Sequence, residues 1–258
     1  MSPAPALPWG RVEVAGRAQP CLFDGDHARL LDRPAFDDRA AETAAVPLAQ
    51  ARVLAPVEPG KVVAVGLNYR AHADELAMDV KSEPIIFLKP ATSVIGPGTP
   101  IVCPPRSEQV DYEAELGLVV GRRCRDLTPA TAPGAVAGYT CGNDVTARDL
   151  QRLDGQWTRA KSFDTFCPLG PWVVPDAPSP TARVSAAVEG KVVQHGLVGD
   201  MIVAPLELLV FVSSIMTLEP GDVLLTGTPP GVGPLAPGQT VTVEVEGVGR
   251  LTNPVERG

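Results

Sequence analysis

Several common routes to a compartment or a cofactor are closed by what this sequence does not contain. Its five cysteines (Cys21, Cys103, Cys124, Cys141 and Cys167) are odd in number, scattered, and form no C-x-x-C pair. That excludes a disulfide framework and a thiolate zinc site, and predicts free thiols in a reducing compartment. No apolar run approaches the roughly 20 residues a membrane helix needs. The opening stretch, Met1 to Trp9, has neither the basic segment nor the apolar core of a signal peptide. The expectation is a soluble, cytoplasmic protein. Positive charge is in deficit as well: 22 Lys and Arg against 30 Asp and Glu leave a net charge of −8. This argues against nucleic acid or an anionic membrane as the main partner. Histidine occurs only three times, at His27, His72 and His195. The sequence shows no internal repeat and no low-complexity segment.

What is present points to a β-rich protein. Hydrophobic residues make up 45% of the 258, enough for a sizeable core in one large domain or two small ones. The 28 prolines and 25 glycines are spread along the chain, so turns separate many short apolar runs and few helices are long. Residues 9–32 read as a small hairpin unit, and 33–50 as a polar connecting helix or loop. Val62 to Val65 is a buried-strand run ending at Gly66, Pro84 to Lys89 another strand, and Val184 to Val193 a hairpin turning at Glu189-Gly190-Lys191. Pro205 suits the first position of a helix through Met216 with Leu206, Leu209, Val210 and Ser213 on one face. A further buried strand starts at Val223. Val241, Val243 and Val245 alternate with polar residues on a half-exposed strand.

The chemistry gathers around Asp111-Tyr-Glu-Ala-Glu-Leu116. Strict alternation puts Asp111, Glu113 and Glu115 on one face of a strand and Tyr112, Ala114 and Leu116 on the other. Carboxylates about 7 Å apart at a core edge repel one another; they protonate or take up a divalent cation with oxygen preference. A solvated acidic face has the same spacing. His72 and Glu75, three apart on a helix expected over Arg70–Asp79, would share a face, with the carboxylate orienting the imidazole as in a general base; a surface pair fits equally. Asp144 lies where a short strand should end, suited either to a third metal carboxylate or to capping a helix from Val145. Arg148 and Gln151 share a helix face suited to a substrate carboxylate and carbonyl. Lys161, among small and aromatic residues, calls for an anionic partner: the carboxylate cluster, an oxyanion, or Asp164 in a plain salt bridge. Lys89 precedes a proline with its direction open. Gly227-Thr-Pro-Pro-Gly-Val-Gly233 lacks the Gly-Lys-Ser/Thr ending of a phosphate loop, but its amides and Thr228 could cradle a carboxylate.

Taken in order, the stretches Gly66-Leu-Asn-Tyr-Arg-Ala-His-Ala-Asp-Glu75, Ile86-Phe-Leu-Lys-Pro90 and Asp111–Leu116 resemble the fumarylacetoacetate hydrolase family. So do Asn143-Asp-Val-Thr-Ala-Arg-Asp149, Lys161-Ser-Phe-Asp-Thr-Phe166, Leu218-Glu-Pro-Gly-Asp222 and Thr226-Gly-Thr-Pro229. The resemblance covers roughly residues 60–255. It implies a β-rich α+β fold, a mixed β-roll or barrel with few helices over residues 56–258, preceded by a small β-rich region at 1–55. It also implies a Mg²⁺ or Mn²⁺ ion held by Glu113, Glu115 and Asp144, with Asp111 behind them. A catalytic dyad of His72 and Glu75 follows, with Lys161 facing substrate oxygens and Arg148, Gln151 and Thr228 positioning the substrate. A homodimer acting on a small 2-oxo acid is the expected form. Hydrolysis of an acylpyruvate C–C bond through a stabilised enolate is the first expected activity. Isomerisation or decarboxylation of a 2-hydroxy-diene dicarboxylate from aromatic-acid catabolism, or decarboxylation of oxaloacetate, stands beside it; a binding protein without catalysis is disfavoured by the intact site.

Overall fold

The computed structural model describes residues 7–75 and 82–258. Its main sheet runs from one edge to the other through Glu42–Pro47, His27–Leu31, Arg17–Asp24, Trp9–Val14, Cys167–Val174, Val136–Asn143, Ala114–Val120, Val223–Leu225, Val62–Gly66 and Ile85–Lys89. Neighbours along this path are antiparallel, except that Val223–Leu225 runs parallel to Val62–Gly66. A second sheet contains Lys191–Leu197, Arg183–Val188, Thr240–Val245, Gly249–Arg257 and Ile101–Cys103. A third, small one joins Thr146–Ala147, Val110–Tyr112 and Gly233–Pro234. Among the described residues none of these sheets closes into a barrel. The architecture is the β-rich, helix-poor one that the short apolar runs predict.

The centre of the molecule is the pair Ala114–Val120 and Val136–Asn143. Ala114–Val120 is buried along its whole length, as expected of the run Leu-Gly-Leu-Val-Val, which has no polar alternation to offer water. Thr240–Val245 shows the other pattern, with Val241, Val243 and Val245 buried between partly exposed residues.

Two local expectations change. Residues 33–50 include the strand Glu42–Pro47, which pairs with His27–Leu31 as an exposed edge. Alanine and glutamate have low strand propensity, and pairing with an existing edge overrides it; the Arg29 guanidinium reaches across to Glu42. The helix opened by Pro205 runs to Ile215 but buries Leu208, Leu209, Val212 and Ser213, a face turned from the predicted one. Nearly every position of Leu-Glu-Leu-Leu-Val-Phe-Val is apolar, so periodicity could not select the face. The helix carrying His72 is described over Arg70–Glu75; the expected continuation through Asp79 lies outside the described residues.

Candidate active site

The acidic strand is two strands. Val110–Tyr112 belongs to the small third sheet, Ala114–Val120 to the main sheet, and the chain passes between them at Glu113. Alternation survives the break: Tyr112, Ala114 and Leu116 pack into the hydrophobic core. Asp144 follows the end of the neighbouring strand. Its N–H donates to the Glu113 carbonyl at 2.9 Å, and the Glu113 N–H donates to Asn143 Oδ1 at 3.0 Å. These two bonds set Asp144 beside the glutamates, and one oxygen from each of Glu113, Glu115 and Asp144 lies within 4.8 Å of the others. All three residues are at most 4% exposed, so the cluster is no solvated face. Nor is Asp144 a helix cap: the next helix begins at Arg148, after the strand Thr146–Ala147.

Three buried cations surround the cluster. Lys161 Nζ donates to Glu113 Oε2 at 2.9 Å and to Asp144 Oδ2 at 2.7 Å, and lies 5.1 Å from the Phe87 ring centroid. Asp164 is not its partner. Lys89, whose direction the sequence left open, is fully buried and donates to Asp144 Oδ1 at 2.5 Å. Arg148 donates from Nε to Asp111 at 2.9 Å, from Nη2 to Glu113, and from Nη1 to Gln151 Oε1. The predicted Arg148–Gln151 pair therefore grips itself and two carboxylates.

Burial opposes the charge of Glu113, but Lys161 and Arg148 outweigh it and hold this carboxyl well below the usual range. Burial likewise works against the Lys161 ammonium, while Asp144 and Glu113 keep its pKa above the ordinary lysine value. Glu115 is the exception. Burial, then Asp144 and Glu113, push its carboxyl well above the usual range, and among the described residues it has no ion pair. Its Oε2 accepts the Gly227 N–H at 2.7 Å. Four carboxylates (Asp111, Glu113, Glu115, Asp144) thus face three cations. Converging carboxylate oxygens that outnumber the buried cations could hold a divalent metal ion.

His72 is buried, and its Nδ1 lies 3.1 Å from Glu75 Oε2. An ionised carboxylate only accepts, so this bond assigns the hydrogen to Nδ1 and leaves the lone pair on Nε2. Glu75 also accepts the Gly231 N–H, at 3.0 and 3.2 Å. The Gly-rich turn therefore does cradle carboxylates, but they are the protein's own: Gly227 holds Glu115 and Gly231 holds Glu75. Thr228 donates its hydroxyl to the Ala114 carbonyl at 2.9 Å.

One cavity, about 320 Å³ of empty space, is lined by His72, Glu113, Glu115, Asp144, Arg148, Gln151, Lys161 and Thr228, with Phe87 and Trp157 as aromatic walls. Of the predicted site residues, all but Glu75 reach this wall, and Glu75 stands behind His72. Sequence reasoning did not single out Phe87, Trp157 or the destination of Lys89. The alternation of Phe87 and Lys89 on one strand face was the available signal. A larger cleft of about 1000 Å³ lies between the N-terminal strands and the Pro220–Gly221 turn. Its arginines are already paired, Arg11 with Glu58 and Arg33 with Asp32, and it contains none of the clustered acids.

The family model for the fumarylacetoacetate (FAA) hydrolase C-terminal region matches residues 61–256. The chain is 40% identical over 263 residues to the mitochondrial oxaloacetate tautomerase Fahd2a of Rattus norvegicus, covering 97% of this chain and 81% of that protein. Among solved structures it is similar to 5-carboxymethyl-2-hydroxymuconate delta-isomerase from Mycobacterium smegmatis. That likeness has a TM-score of 0.91 and 43% identity, covering 98% of this chain and all of the other. It is also similar to maleylpyruvate hydrolase from Sphingobium sp. SYK-6, a complex with manganese(II) and pyruvate. There the TM-score is 0.82 and the identity 26%, over 98% of this chain and all of the other.

Proposed function

This chain belongs to the fumarylacetoacetate hydrolase family, and from that premise we propose that it is a divalent-metal-dependent enzyme moving a proton at C3 of a small 2-oxo acid. It would interconvert keto and enol forms of an oxaloacetate-type acid or a 2-hydroxy-diene dicarboxylate. The observation that carries this reading is His72, backed by Glu75, opening on the same cavity as Glu113, Glu115 and Asp144.

Glu113, Glu115 and Asp144 would hold the ion, Mg²⁺ or Mn²⁺. When bound, the ion supplies a Lewis acid for the carboxylate and 2-oxo oxygens of the substrate. His72 carries the proton that leaves or returns to C3 on Nε2. Glu75, by accepting from Nδ1, fixes the tautomer and stabilises the imidazolium that results. Arg148 can only donate, so Gln151 must present Oε1 to it, leaving the Gln151 NH₂ group for a substrate acceptor. Lys161 is the cation best placed to meet a substrate oxygen, since it alone bridges two of the proposed ligands. Thr228 has its hydrogen committed to Ala114, so it would meet substrate through its methyl group or as an acceptor.

Hydrolysis of an acylpyruvate, which the motifs alone put first, is the second reading: the same His72 would activate water against a distal carbonyl. The likeness to maleylpyruvate hydrolase favours it. Proton transfer is placed ahead because the tautomerase and isomerase relatives share 40% and 43% of their residues with this chain. It also needs no water fixed at a second centre.

The test is a Mg²⁺-dependent assay of the purified protein on enol-oxaloacetate, a 2-hydroxy-diene dicarboxylate and an acylpyruvate in parallel. Loss of enol or diene absorbance without release of pyruvate is expected. Pyruvate release from the acylpyruvate as the fastest reaction would establish hydrolysis in its place.

A further inference from the structure

The strand Lys191–Leu197 lies at the edge of the second sheet and is mostly exposed or half-buried. Gln194 is different: it is 1% exposed, and both its amide oxygen and its amide nitrogen are hydrogen-bonded. Its Oε1 accepts the Ala114 N–H at 3.0 Å, and its Nε2 donates to Thr228 Oγ1 at 2.7 Å and to the Pro229 carbonyl at 2.6 Å. Ala114 is the residue between Glu113 and Glu115. Because Thr228 donates in turn to the Ala114 carbonyl, the three residues close a ring that ties the acidic strand to the Gly-rich turn.

The backbone of the same strand supports the far end of that turn. Gly231 has φ +98°, and a Cβ there would come within 2.8 Å of the Val193 carbonyl oxygen and 3.1 Å of Gln194 Cα. The two amides that hold functional carboxylates, Gly227 on Glu115 and Gly231 on Glu75, are four residues apart in this one turn. A shift of the turn therefore moves the base pair and the acidic cluster relative to each other. Misplacement by about 1 Å in a reacting geometry costs on the order of 10²-fold in rate.

We infer that Gln194 is a positioning residue, which fixes the Gly-rich turn against the Glu113–Glu115 strand and so sets the distance between the His72–Glu75 base and the oxygen-binding cluster. This rests on the reading of the site given above. Methionine has similar length but offers none of the three bonds. Glutamate keeps the acceptor for Ala114 and loses both donors.

The test compares full-length wild type with Gln194→Met, Gln194→Glu and a control, Val184→Ala, which removes core volume in the adjacent strand and leaves all three Gln194 bonds in place. Amide hydrogen exchange over 227–231, Mn²⁺ titration without substrate, and kcat and KM are measured on each. For Gln194→Met, faster exchange at 227–231, Mn²⁺ affinity lower by about 10-fold, and kcat lower by about 10-fold or more are expected, all relative to the control. Exchange and kcat within twofold of Val184→Ala would overturn the inference. If Gln194→Met does not fold, Gln194→Glu decides by the same criteria. Absence of Mn²⁺ binding in the wild type would sink the metal reading, and the exchange data would still decide the role of Gln194.

Discussion

Lys89 and Lys161 hold opposite oxygens of one carboxylate: Lys89 Nζ is 2.5 Å from Asp144 Oδ1, and Lys161 Nζ is 2.7 Å from Asp144 Oδ2. The two lysines are not equivalent. Lys89 also donates to the Val145 carbonyl, at 3.3 Å, and is sealed from the cavity, whereas Lys161 spans Asp144 and Glu113 on the cavity wall. Lys89 is a fixed brace, and Lys161 is the group we propose exchanges a carboxylate for a substrate oxygen.

Lys161→Met should therefore fold, because Arg148 still pairs Glu113 and Lys89 still pairs Asp144. Loss of a charge-assisted contact worth about 1.5–3 kcal/mol predicts a fall in kcat/KM of roughly 10- to 100-fold. Steady-state kinetics check this; an unchanged kcat/KM makes Lys161 purely structural.

Glu115→Gln removes the one acid of the cluster whose pKa burial and like charges drive upward. A carboxyl whose pKa is raised in the folded state opposes folding at any pH above its unfolded value of about 4.3, so at neutral pH the metal-free variant should melt at or above the wild-type temperature. Mg²⁺ should raise the melting temperature of wild type only, and Mg²⁺-dependent turnover should vanish in the variant. Full activity of wild type in a chelator would refute the metal assignment.

His72→Ala should leave Mn²⁺ affinity intact and cut turnover by about 10²-fold or more, the usual scale for a general base. Calorimetric titration and kcat test the two halves separately. If turnover survives, the base is another group.

Arg148→Met strands buried Asp111, whose one ion pair among the described residues is with that guanidinium, while Glu113 keeps Lys161. Breaking a buried pair from one side costs about 3–5 kcal/mol. Urea unfolding measures the loss, and a change under 1 kcal/mol would mean the pair behaves as a surface one.

Asp149 supplies a pH dependence away from the cluster. Burial acts to raise its carboxyl, but bonds from the Ser107 hydroxyl at 2.6 Å and the Glu108 N–H at 3.0 Å outweigh it and lower the pKa. A depressed folded-state value gives stability that is complete above the unfolded value of about 3.9 and lost as pH falls through the folded one. Asp149→Asn should flatten stability in the acid range below about pH 4, by equilibrium unfolding. An identical acid limb would remove this group from the account.

What the sequence by itself determined is local. Alternation put Glu113 and Glu115 on one side of the chain, and a three-residue spacing put His72 within reach of Glu75. Proline fixed the start of the helix at Pro205, and glycine and proline punctuation marked the β-rich class. Each follows from backbone geometry over a few residues, which a single chain reveals directly. Tertiary structure decided the rest. Lys89 and Lys161 meet Asp144 beside Glu113 only because four separate segments converge at the break between two strands. The Gly-rich turn looked like a cradle for a ligand, yet two of its amides hold Glu115 and Glu75, a use that amide groups common to every residue cannot announce. Gln194 left no trace among its neighbours, since its partners Ala114 and Thr228 are distant in sequence and their alignment is set by how the sheets pack.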